Sequence, residues 1–238
     1  MNRIVAIIVL FFLFGVPLVN AENDTHKKCV NSVSTIDAKS WGQILGAEDT
    51  ALSMIFDDGI KPVFDSIGIT SDAGWFDRSF LIFELPPFCT QAIFGKLRLK
   101  VKSAVAGLDP DFPSFSFVLY DIGDIPTLQK PVWDIDDFRN AIVDLSTGRI
   151  YGNFNVRSSP ADDGVVIEIP LTYDAMYDIN SVPGGTFAIG IFVGEGWIGE
   201  GDGVSFVSPD DGGLAQLELT MVSASHGKPR HHKEKMRE

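Results

Sequence analysis

Hydrophobic and polar positions alternate most strictly in KLRLKVK, residues 96–102. Lys96, Arg98, Lys100 and Lys102 hold the even places, and Leu97, Leu99 and Val101 the odd ones. A strand sends successive side chains to opposite faces, so this run predicts one apolar and one cationic face. The same period of two recurs twice. In GVVIEIPL (164–171), Val165, Ile167, Ile169 and Leu171 oppose Glu168 and Pro170; in LAQLELTMV (214–222), Ala215, Leu217, Leu219 and Met221 oppose Gln216, Glu218 and Thr220. SFLIFEL (79–85) is apolar on both faces, as a central strand covered on both sides would be, and Pro86 and Pro87 end its ladder. ALSMIF (51–56), SFSFVLYDI (114–122), TFAIGIFVG (186–194) and GVSFVS (203–208) complete the predicted strands, and KLRLKVK has a lead-in from Ala92. Their separators, LPPF, GLDPDFP, SSPADDG, VPGG and SPDDGG, are turn chemistry.

Two stretches change the period. DDFRNAIVDL (136–145) spaces Phe138, Ala141, Ile142 and Leu145 as one helical stripe, with Asp134 or Asp136 as N-cap. LTYDAMYDINSV (171–182) does the same with Leu171, Ala175, Ile179 and Val182 before Pro183, Gly184 and Gly185 stop it. The expected fold is all-β, an antiparallel sandwich of jelly-roll kind with two short helices.

The first residues, MNRIVAIIVLFFLFGVPLVNA, have the cation, apolar run and small-residue end of a signal peptide. A retained membrane span is the alternative, outweighed by Gly15 and Pro17 ahead of the cleavage site. The expected organisation is a signal peptide over 1–21, an N-terminal extension over 22–32, a sandwich over 33–222 and a basic, disordered tail over 223–238. Cleavage leaves 217 of the 238 residues, ample for one core, and no later segment is apolar enough to span a membrane. The formal net charge is −13, or −14 without Arg3; five cations against two anions in the terminal HGKPRHHKEKMRE put −17 on residues 22–225. So acidic a body repels nucleic acid and anionic membranes. Cys29 and Cys89 are the two cysteines, and an exported chain makes one disulfide the default reading, with two free thiols the alternative.

RSFLIFELPPF, IFGKLRLKV, SFSFVLYDI, STGRIYGNF, VVIEIPLTYDAMYDINSVPGGTFAIG, VSFVS and a final LAQLEL follow one another in an order similar to a family of exported bacterial β-sandwich proteins, many of which carry the PEP-CTERM sorting tail. The resemblance spans residues 75–220. It implies fold and a secreted or surface-associated location in a polysaccharide context, and it brings no catalytic residues. The sorting tail itself has no counterpart, since HGKPRHHKEKMRE stands in its place.

Histidine narrows the chemistry most. His26, His226, His231 and His232 all lie near the ends, so residues 27–225 hold none, which excludes Ser-His-Asp and Cys-His machinery and His-ligated metals from the body. A glycosidase would need only two carboxylates, but an acidic sandwich offers many such pairs by chance and none is singled out. No cofactor is required. Ca2+ is the ion its oxygen-rich loops could take, at Asp109, Asp111, Asp162, Asp163, Glu200, Asp202, Asp210 and Asp211, although the bland reading is that these residues make turns. Trp75, Trp133 and Trp197, in or beside loops, are candidates for stacking on sugar rings, with Tyr151 and Tyr173 as further ones; burial in the core is the competing reading for each. Lys96, Arg98, Lys100 and Lys102 would form a stripe of about 20 Å able to track an acidic polysaccharide. A solvated face partly neutralised by Glu168 or Glu218 explains it with no ligand. The expected function is a secreted, non-catalytic sandwich that binds or holds polysaccharide at a cell surface or matrix. A carboxylate-based carbohydrate-active enzyme and a module binding other proteins are the alternatives.

Overall fold

The computed structural model describes residues 31–47, 67–72, 75–106, 114–130, 134–145, 147–157, 164–193 and 202–223. The strands are β1 (Ser32–Ala47), β2 (Ile67–Asp72), β3 (Trp75–Glu84), β4 (Thr90–Val105), β5 (Ser114–Asp121), β6 (Ile150–Arg157), β7 (Val166–Pro170), β8 (Thr186–Val193), β9 (Gly203–Phe206) and β10 (Ala215–Ser223). Helices α1 (Ile125–Leu128) and α2 (Ile135–Asp144) follow β5, and α3 (Tyr173–Ser181) follows β7.

Every pairing between these strands is antiparallel. One layer runs β1-β10-β4-β7 and the other β3-β8-β5-β6. Numbering those eight strands along the chain gives the orders 1-8-3-6 and 2-7-4-5, the double Greek key of a jelly roll. β1 serves both layers. Its first half pairs with β10, and past an irregularity between Ala38 and Ser40 its second half pairs with β3, the way a bulge lets a strand turn a corner between sheets. β9 pairs with the far end of β4 and with β2, linking the layers a second time.

The alternating residues fill the space between the layers. Leu97, Leu99, Leu217 and Leu219 from one sheet meet Leu81, Phe83, Phe117, Leu119, Ile189 and Ile191 from the other in a single buried cluster. Burying such side chains contributes about 1.5–3 kcal/mol each. SFLIFEL is two-faced for the expected reason. Phe80 and Ile82 point the other way, into a second cluster with Ala188, Leu128, Phe138, Ala141 and Leu145, so α1 and α2 cover the outer side of the β3-β8 layer. Gly190 of β8 admits this cover, because a Cβ there would come 3.0 Å from the Leu145 carbonyl oxygen. α2 starts at a capping box: Asp134 accepts from the backbone N–H of Asp136 and Asp137 at 3.0 and 2.8 Å, while Asp137 accepts from the N–H of Asp134.

Some expectations are corrected. Val165 does not join the buried side of β7; it precedes the strand and is 45% exposed. Trp75 lies in a strand, not a loop, because β3 begins four residues before SFLIFEL, where β1 and β2 offer partners. β1, β2, β6 and α1 were not among the predicted elements. ALSMIF lies outside the described residues, as do the leader, residues 22–30 and residues 224–238. No described helix is long and apolar enough to cross a membrane.

Candidate functional site

β7 ends at Pro170, and α3 takes over the flank of β4 that β7 leaves. The Leu171 N–H donates to the Gly95 carbonyl at 2.9 Å. Beyond it the Asn180 side chain completes the strand edge, accepting from the Ala92 N–H and donating to the Ala92 carbonyl, both at 2.8 Å. An amide side chain thus stands in for a neighbouring strand and meets the backbone's hydrogen-bonding requirement. Met176 packs inward over Gly95, while Ala175 and Ile179 are buried in the main core.

Opposite this buried stripe, Tyr173 and Tyr177 lie one helical turn apart and are 80% and 60% exposed. The β4–β10 register slips between Thr220 and Met221, leaving Ile93 as the extra residue. The bulge reverses the alternation, so Ala92 is buried like Gly95 and Leu97, and Ile93 and Phe94 both face out. Between α3 and this bulge lies a groove of about 460 Å³ whose walls include Gln91, Ile93, Tyr173, Met176, Tyr177 and Asn180. All of its lining side chains are uncharged. Tyr173 was a candidate from sequence; Tyr177, Ile93, Gln91 and Asn180 were not. The spacing of the two tyrosines in YDAMY, off the stripe through Ala175 and Ile179, was the available signal for Tyr177. Nothing local announced the bulge.

The cation stripe is half neutralised. β4 lies between β10 and β7, so Lys96 faces Glu218 on one side and sits beside Glu168 on the other, at 3.1 and 2.9 Å. Arg98 Nε is 3.2 Å from Glu168 in an ion pair, and Arg98 Nη1 is 3.7 Å from Glu218. The Lys96 hydrogen bond holds the Glu168 carboxyl below the usual carboxylate range and, reciprocally, raises Lys96. Lys100 and Lys102 have no ion pair among the described residues. Strands flank β4 on both sides at Lys96 and Arg98, so these two cations do not guard a sheet edge.

Tyr151 is not a stacking surface. It is 3% exposed, stacks on Phe187 with centroids 5.4 Å apart, and donates to Asp178 of α3. Burial, reinforced by that hydrogen bond, pushes its phenol far above the ordinary tyrosine value. Arg149 joins the group, reaching Asp178 at 2.6 Å and Asp121 at 3.2 Å. The carboxylate pairs these contacts bring together thus share cations: Glu168 and Glu218 share Lys96 and Arg98, and Asp121 and Asp178 share Arg149.

Of the calcium candidates, Asp202, Asp210 and Asp211 are described, and Asp109, Asp111, Asp162, Asp163 and Glu200 lie outside the described residues. Pro209, Asp210 and Asp211 form a 3-10 turn closed by Gly212 at φ 74°, and Asp211 accepts from Ser208 Oγ at 3.0 Å. Among the described residues no three His, Cys, Asp or Glu side chains converge as a metal site. The Trp75 side chain, Trp133 and Trp197 lie outside the described residues; Trp41, which was not a candidate, packs against the main core. Cys89 is not a free thiol, and Cys29 lies outside the described residues. No protein-family model and no curated protein matches the chain.

Proposed function

We propose that this chain is a secreted, non-catalytic β-sandwich protein that holds polysaccharide at the cell surface or in an extracellular matrix, with Cys29 and Cys89 joined as its one disulfide. The carrying observation is the exposed Tyr173–Tyr177 pair beside a groove on the flank of the sandwich. Aromatic rings with a polar tip, held on a concave surface near amide groups, are what sugar recognition uses. The leader-like first 21 residues and the likeness to exported bacterial sandwich proteins motivate the location. The non-catalytic part is supported by the absence of histidine from residues 27–225 and by the commitment of Glu168, Glu218, Asp121 and Asp178 to ion pairs.

A glycan array combined with cell fractionation tests the reading. The expected result is retention of at least one glycan class and recovery from the extracellular or surface fraction. Cytoplasmic retention without glycan binding would remove it, and polysaccharide turnover abolished by one carboxylate substitution in a folded variant would replace it with an enzyme. Peptide mapping without reductant is expected to recover residues 29 and 89 in one cross-linked species.

A further inference from the structure

We infer that the groove between α3 and β4 takes a neutral saccharide stacked on Tyr173 and Tyr177, and not a uronate or sulfated chain; this deepens, and rests on, the polysaccharide-holding reading. A pyranose ring presents an apolar C–H face and a rim of hydroxyls. The tyrosine rings, exposed over most of their surface, offer partners for the face. Gln91 and the second amide N–H of Asn180, whose first is engaged by the Ala92 carbonyl, offer partners for the rim.

Charge excludes the acidic classes. No side chain lining the groove is ionised. The nearest cations along β4, Lys96 and Arg98, are bracketed by Glu168 and Glu218. Lys100 lies seven residues from Ile93, about 23 Å along an extended strand, too far to serve a sugar seated at the tyrosines. On α3 itself the charged residues are Asp174 and Asp178, both anionic, and the whole chain carries −13, so a polyanion would approach against the field. The platform is also set in advance. Asn180 is clamped to Ala92 by two hydrogen bonds, and Met176, Ala175 and Ile179 are buried beneath the tyrosines. The helix that carries the tyrosines thus needs no rearrangement on binding, and the ordering cost is confined to their exposed side chains.

The test titrates the purified protein with neutral hexaoses of glucose, mannose and galactose, and with alginate and sulfated oligosaccharides, at low and high salt. Tyr173→Ala, Tyr177→Ala, the matching Phe variants and Lys100→Gln/Lys102→Gln run in parallel, with thermal melts confirming that each folds. The expected result is salt-insensitive binding of at least one neutral glycan, weakened about tenfold or more by either Ala change, largely kept by the Phe changes and untouched by the lysine pair. Binding confined to acidic glycans, screened by salt and lost with the lysine pair, would overturn this inference while leaving the polysaccharide-holding reading intact. No glycan binding at all would overturn both. So would tyrosine-dependent self-association without glycan binding, which would make the groove a contact between copies of the chain.

Discussion

Ser79 shows how a single hydroxyl can hold a junction. β2 pairs with β9 from Ile67 to Thr70 and reaches β3 only at Ser71 and Asp72, so on its β3 side the N–H and C=O of Gly68 need another partner. The Ser79 hydroxyl accepts from that N–H at 2.8 Å and donates to that carbonyl at 2.7 Å, and both residues are buried. Ser79→Ala therefore leaves a donor and an acceptor unpaired and is expected to lower stability in urea unfolding by about 1–3 kcal/mol; an unchanged midpoint would show that water replaces the hydroxyl. Tyr151 makes the second residue-scale case. Its folded pKa is raised above the ordinary value, so the neutral phenol's contribution is complete below pH about 10. It is lost progressively above that, as the unfolded phenol ionises and the folded one does not. Melting temperatures from pH 8 to 11 are expected to fall, and Tyr151→Phe, which keeps the Phe187 stack, to flatten that fall.

At the scale of elements, β4 explains why part of the site was legible and part was not. Its period of two announces the buried Leu97 and Leu99 and the wet face, and the chemistry of Glu168 and Glu218 made neutralisation foreseeable. Which carboxylate meets which cation is set by register, and register is tertiary. Here Lys96 is in contact with both. Glu168 is held below its ordinary range, so its contribution is present above pH about 4.3 and lost as the pH falls through its folded value. Glu168→Gln is thus expected to melt below the parent at neutral pH, with the gap closing under acid and narrowing in high salt; a gap independent of pH would mean that packing, not charge, matters at this position. β1 was missed for the same reason that the bulge at Ile93 was. SVSTIDAKSWGQILGA changes layer midway, so neither half keeps one alternation long enough to read. The helices were legible because α2 and α3 each show one stripe to one surface, whereas the tyrosine pair of α3 gains its meaning only from β4 beside it.

At the scale of the whole molecule, the two apolar faces of β3 make the sandwich and its helical cover one unit. Phe80 and Ile82 are buried against α1 and α2, Leu81 and Phe83 against the opposite sheet, and all four are fully inaccessible. The neighbouring strand repeats the division, with Ala188 facing the helices and Ile189 and Ile191 facing the main core. Interiors packed like crystals transmit strain and do not absorb it, so loosening one side should loosen the other. Phe138→Ala removes the α2 ring from the smaller cluster and is expected to cost about 3–5 kcal/mol. Its wider effect is the informative one: hydrogen exchange at Leu217 and Leu219 of β10, in the far layer, should accelerate by the same free energy as exchange within α2, as one cooperative unfolding requires. Acceleration confined to α1 and α2 would instead make the cover a separate foldon, leaving the groove between α3 and β4 insulated from anything that happens at α1 and α2.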